Sequence, residues 1–156
     1  MIERAKLLAV FASAAGGAIA IGAMEFFSAR AAYPLMAVPF ATSIVLVLGS
    51  PKAEPAQPRA LIGGHVVATL VGLVVLQITG PHAWAAAFAV GLAILAMYVA
   101  GTFHPPAGIN PLLVVSYNLH WSFLLAPVLA GAVLLTAFAY VWHRWIRRRP
   151  WPQHWW

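Results

Sequence analysis

Long apolar runs separated by short polar or proline-rich punctuation dominate the chain. The runs cover about residues 7–27, 41–49, 61–78, 84–100, 107–117 and 121–142. The first is about 21 residues long, more than the core of a cleavable signal peptide, and is read as a spanning helix. Two runs are too short to span alone, and each follows a lead-in that resists helix formation. In Gly101–Pro111, Pro105 and Pro106 cannot continue a helix, and His104, which precedes proline, is biased toward extended backbone. Residues 103–106 are therefore expected to be non-helical, which at membrane depth survives only inside protein or beside a wet cavity. Residues 31–40 repeat the device with Pro34 and Pro39. Ser50–Gln57 is a polar, proline-punctuated loop, and Pro58 opens the next helix in a position proline favours.

The plan recurs along the chain. Laying Pro39 on Pro106 brings Ala41 onto Gly108, Ser43 onto Asn110, and Gly64 onto Gly131. Each half reads as a full helix, a proline-broken lead-in with a short helix, and another full helix. Internal duplication of this kind is a transporter habit. The expected fold is an all-α, polytopic membrane protein of two inverted three-segment repeats. They fall at about residues 7–78 and 84–142 of a single transmembrane domain, followed by a basic, aromatic tail at 143–156. A short segment can cross: residues 101–106 extended cover ~20 Å and 107–117 as helix add ~16 Å, against a ~30 Å hydrocarbon core.

Composition places this pattern in a bilayer, for 63% of residues are hydrophobic and 8% charged. Nine bases face three acids, and six crossings would collect every base except Arg30 on one side. The positive-inside rule makes that side the cytoplasm, with both termini there, in a prokaryotic inner membrane. The excess charge then serves lipid contact rather than nucleic acid. Absence of cysteine excludes disulfides and thiolate metal sites.

In the inverted arrangement both short helices start near the midplane, where helix N-termini present unpaired N–H groups to anions. Thr42 and Ser43 stand at one start, and His104, Pro105, Pro106, Ala107, Gly108 and Asn110 at the other, with His65 nearby on a face flattened by Gly63 and Gly64. No acid lies at this depth, so a small anion suits the site better than a cation. Histidine, with an ordinary pKa near 6.5, could donate one hydrogen bond when neutral and add charge when protonated. His104 is expected to touch the anion at the broken backbone, and His65 to orient or gate from the opposite wall. Gly108 is expected to make a close backbone contact. For His65 a satisfied core histidine is the competing reading. With no aspartate, no cysteine and no carboxylate pair, no catalytic centre, metal site or cofactor is expected.

The motif His104-Pro105-Pro106-Ala107-Gly108 resembles the signature of the HPP family. Pro39-Phe40-Ala41-Thr42-Ser43, Gly49-Ser50-Pro51, Ala56-Gln57-Pro58-Arg59 and Ile62-Gly63-Gly64-His65 are similar to its other motifs in order, and Trp121-Ser122-Phe123-Leu124 with Pro127-Val128 to its last helix. The likeness covers about residues 34–140. It implies an integral membrane protein and, since some members are implicated in nitrite transport, nitrite as the anion. The other function class open at this point is a non-transporting scaffold or accessory subunit. Membrane lipids and further copies of the chain, packed through Gly- and Ala-rich faces, are the expected partners.

Overall fold

The computed structural model describes residues 4–31 and 37–156. Helices α1 (Arg4–Ala31), α2 (Ala41–Gly49), α3 (Pro58–Thr79), α4 (Ala83–Val99), α5 (Ile109–Ser116) and α6 (Ala130–Val141) follow in order, with no strand among the described residues. Among the described residues, three helical runs are long and apolar enough to cross a membrane: Lys6–Arg30, Pro58–Thr79 and Leu124–Ile146. The protein is thus an all-α polytopic membrane protein. Of the first expected lead-in, Ala32 to Met36 lie outside the described residues.

Both short helices are entered through a tight turn, as the prolines require. A 3-10 turn at Val38–Phe40 feeds α2, and another at Pro105–Gly108 feeds α5. Extended backbone therefore stops at His104 (φ −131°, ψ 96°), earlier than the expected end at residue 106. Pro105 and Pro106 occupy first-turn positions, where a missing N–H costs nothing. The preceding reversal is set by Gly101 at φ +63°. Thr102 N–H reaches back to Met97 O and Gly101 N–H to Tyr98 O, the paired bonds that end a helix on a left-handed residue. A Cβ on Gly101 would also lie 2.7 Å from the Arg59 guanidinium.

The last span differs from the uninterrupted helix expected over 121–142. Ala126 leaves helical geometry (φ −136°, ψ 119°) immediately before Pro127, which disfavours the α conformation in its predecessor.

Helix α3 is the central column. Phe40, Ile44, Val47 and Leu48 pack with Leu61, Ala132, Leu135 and Ala139, which seats α2 between α3 and α6. On the other flank Ala68, Ala93, Met97 and Ala107 join α3, α4 and the second 3-10 turn. Val75 and Val115 meet Ala85, Ala86 and Ala89. Gly72 lets α5 approach closely, for its Cβ would stand 2.7 Å from Pro111 Cα.

Contacts across the chain order the ends. Arg147 donates to Leu48 O and to Ser13 Oγ, both at 2.8 Å, and Gln153 N–H donates to Gln57 Oε1 at 2.9 Å. The first half of α1, the end of α2, the 50–57 loop and the C-terminal segment therefore share one end of the bundle. Arg59 donates to Ala100 O there, so α4 finishes at the end where α3 begins.

Candidate functional site

The two 3-10 turns touch each other beside α3, and polar side chains that flank them meet there with two from α3. Ser43 sits on the first turn of α2, His104 just before Pro105, Asn110 on the first turn of α5, and His65 and Thr69 one helical turn apart on α3. All five are 0% exposed.

The hydrogen bonds form one directed chain. His104 Nδ1 lies 2.6 Å from Pro55 O. A carbonyl only accepts, so Nδ1 carries the proton and Nε2 of the neutral ring is a lone pair. Ser43 Oγ, 2.9 Å away, must donate to that Nε2. Its own acceptor position is filled by His65 Nε2–H, also at 2.9 Å. His65 Nδ1 is then an acceptor and takes a proton from Asn110 Nδ2 at 3.0 Å. The second Asn110 N–H goes to Thr69 Oγ1 at 2.8 Å, and Thr69 donates to His65 O at 2.7 Å. One backbone carbonyl in the 50–57 loop thus sets both histidine tautomers and the amide orientation of Asn110.

Two consequences follow for chemistry. Every N–H and O–H in the chain is committed, so an anion can gain a donor only by displacing an internal bond. Asn110 Oδ1, buried and without a partner, is the one unpaired atom among these side chains.

Close packing of backbone on backbone makes the cluster possible. A Cβ on Gly64 would lie 2.5 Å from His104 Cβ and 2.8 Å from Thr102 O. A Cβ on Gly63 would meet Thr102 Cγ2 at 2.5 Å. The Phe40 ring closes the site on the α2 side, its centroid 4.7 Å from that of His65.

Several expectations need correction. Thr42, next to Ser43 in sequence, is exposed and points away from the cluster, because neighbours on a helix diverge by about 100°. Gly108 makes no close contact, since a Cβ there would find nothing within 4 Å. The glycine that permits the approach is Gly64. The expected cradle of free N–H groups does not form at the second turn: Pro105 and Pro106 have no N–H, and the Ala107 N–H bonds His104 O at 2.9 Å. Pro105 is exposed and Pro106 half-buried, so their part is to shape backbone, while Ala107 is buried against α3 and α4. His65 and His104 do not stand on opposite walls but share the Ser43 hydroxyl, ring centroids 5.1 Å apart. Nor does the cluster lie at the middle of α3. His65 is about 10 Å from the start of that helix at 1.5 Å per residue, near the 50–57 loop.

Sequence reasoning missed Thr69, Gln57 and the Pro55 carbonyl. Thr69 was findable as a polar residue four positions after His65 on an otherwise apolar face. Gln57, 1% exposed, donates to Pro51 O and Ala53 O and so holds the loop that presents Pro55. Nothing in sequence marks a carbonyl. Among the described residues, no three His, Cys, Asp or Glu side chains gather where they could hold a metal.

A helical membrane bundle with a buried histidine–serine centre at its proline-broken turns is the class that fold and site define. The chain belongs to the HPP family: its transmembrane region matches over residues 2–152. Two transmembrane proteins of Dictyostelium discoideum are similar, at 35% and 34% identity over 125 residues, or 75% of this chain. The matched part is 44% and 40% of those relatives, so the chain spans less than half their length. No solved structure matches it.

Proposed function

We propose that the protein carries a small inorganic anion, nitrite first, across the membrane through the Ser43–His65–His104–Asn110 centre. The observation that supports this most is a set of polar side chains, all 0% exposed, inside an apolar bundle where structure alone gains little from them. Buried polar groups in membrane spans tend to serve a pathway. The acids within the described residues, Glu25 and Glu54, are both exposed and leave the interior free of negative charge. Nitrite is the anion that the family resemblance implies.

The hydrogen-bond chain suggests how such a site would work. A proton delivered to His65 Nδ1, once the Asn110 amide has rotated, can be relayed, the His65 Nε2 proton passing to Ser43 Oγ and the Ser43 proton to His104 Nε2. Both His104 ring nitrogens are then donors, Ser43 accepts from His104 and donates to His65 Nε2, and His65 Nδ1–H donates to Asn110 Oδ1. One proton thus reverses the whole chain and gives the centre a positive charge that can draw an anion. With the 50–57 end in the cytoplasm, as the basic residues there suggest, the centre lies nearer that side. A C-terminal reporter should read as cytoplasmic, and a periplasmic reading would reject this orientation.

Commitment of every donor in the cluster favours one rival, a packing motif in a non-transporting scaffold. Proteoliposomes holding only the purified protein separate the two. Transport predicts nitrite uptake above protein-free vesicles, lost in Ser43→Ala at equal reconstitution. A scaffold predicts none.

A further inference from the structure

At the end of the bundle that carries the 50–57 loop, a cleft of about 660 Å³ opens between that loop and the C-terminal segment. Lys52, Arg147, Arg149 and His143 line it, and no acid does. Two of these groups are already partly used. Arg147 holds Leu48 O and Ser13 Oγ through Nη1. His143 lies 3.1 Å through Nε2 from Val47 O. Both therefore cap carbonyls at the end of α2, a favourable place for cations.

That structural duty leaves two features unexplained. Burial, and then the positive charge of Arg149, hold the Arg147 pKa below its ordinary value, so two guanidiniums face one cleft without a counter-ion. His143 is 0% exposed, yet its Nδ1 has no partner. Because Val47 O can only accept, Nε2 carries the proton, and Nδ1 of the neutral ring is a buried acceptor awaiting a donor.

We propose that this cleft binds a phosphomonoester-type group, either inorganic phosphate or the headgroup of phosphatidic acid. The monoprotonated group offers charged oxygens to Lys52, Arg147 and Arg149 and one P–O–H to His143 Nδ1. Sulfate and a phosphodiester headgroup are anionic but have no acidic O–H on the anionic centre itself to give that nitrogen while the charged oxygens meet the bases. Nitrite lacks one as well, so this site is distinct from the transport centre.

The test uses the whole protein in phosphatidylcholine nanodiscs, reading the midpoint of thermal unfolding. One pair of arms adds phosphatidic acid or phosphatidylglycerol at equal mole fraction, and the other adds phosphate or sulfate at equal ionic strength. Phosphatidic acid or phosphate should raise the midpoint by about 3 °C more than its control. The arm that responds identifies the source. The double variant Lys52→Gln/Arg149→Gln should lose that difference while melting normally in plain phosphatidylcholine. Nitrogen NMR of labelled histidine gives a reading without mutation: the His143 Nδ1 signal should move with phosphate or phosphatidic acid and stay with the controls. Stabilisation in which sulfate matches phosphate, or phosphatidylglycerol matches phosphatidic acid, with no discriminating arm, would reduce the cleft to general basic attraction and overturn the proposal. No shift in any arm would overturn it too.

Discussion

Helices α1 and α3 have nearly equal mean hydropathy and both are long enough to cross a bilayer, but they do different jobs. In α1 only 11% of the most apolar 18-residue stretch is buried within the protein, against 44% in α3. Both are rich in glycine, and the glycines differ as the helices do. Gly63, Gly64 and Gly72 of α3 each face backbone or side chain at 2.5–2.7 Å from where a Cβ would stand, whereas Gly22 of α1 faces nothing within 4 Å. Gly16 is the exception in α1, where a Cβ would meet Trp142 at 2.7 Å. Hydropathy thus reports that a helix can sit in lipid. Whether it is the hub of a bundle depends on where its small residues and its few polar ones face.

The strongest way to break this contrast is to fill the glycine of α3 that meets the backbone around His104. Gly64→Val should force His104 and Thr102 off α3, costing about 1–3 kcal/mol or more and abolishing nitrite uptake. Thermal unfolding in detergent checks the first part. A variant that melts and transports like the parent would show that α3 is not the packing hub.

Next in size is the shared hydroxyl. Ser43→Ala strands His104 Nε2 and the His65 Nε2–H together, and a buried unpaired group costs about 1–3 kcal/mol. Because both rings use one oxygen, Ser43→Ala and His104→Ala should couple by about 0.5–3 kcal/mol in a double-mutant cycle. Their uptake losses, and that of His65→Ala, should run in parallel. Additive energies would mean that the three side chains act separately, as the linear sequence suggests.

A smaller change is expected at residues that are close in sequence but not in space. Thr42→Ala and Gly108→Ala should leave stability within about 0.5 kcal/mol and uptake unchanged. A loss of uptake in either would return the site to the backbone positions first expected. Smallest of all, Gly22→Ala in α1 should be neutral or slightly stabilising, by up to about 1 kcal/mol, through helix propensity alone. Marked destabilisation would reveal a partner on that face of α1.

The chain's own pattern determined most of the architecture. Apolar length placed the spans, since a run must match the bilayer. Proline placed both broken turns, because a residue without an N–H is confined to the ends of helices wherever it occurs. Ala41–Gly49 and Ala83–Val99 therefore appear within a residue of where the pattern puts them. Ser43, His65, His104 and Asn110 were legible as polar residues beside those breaks. Tertiary structure decided how they act. A hydrogen bond depends on two atoms that sequence separation does not relate, so only folding could pair His104 with a carbonyl 49 positions away and His65 with Asn110 across 45. The same holds for glycine: its lack of a side chain is written in the sequence, but whether anything fills that space depends on which helix packs against it. For that reason Gly64 rather than Gly108 makes the contact, and one loop carbonyl orients every proton at the centre.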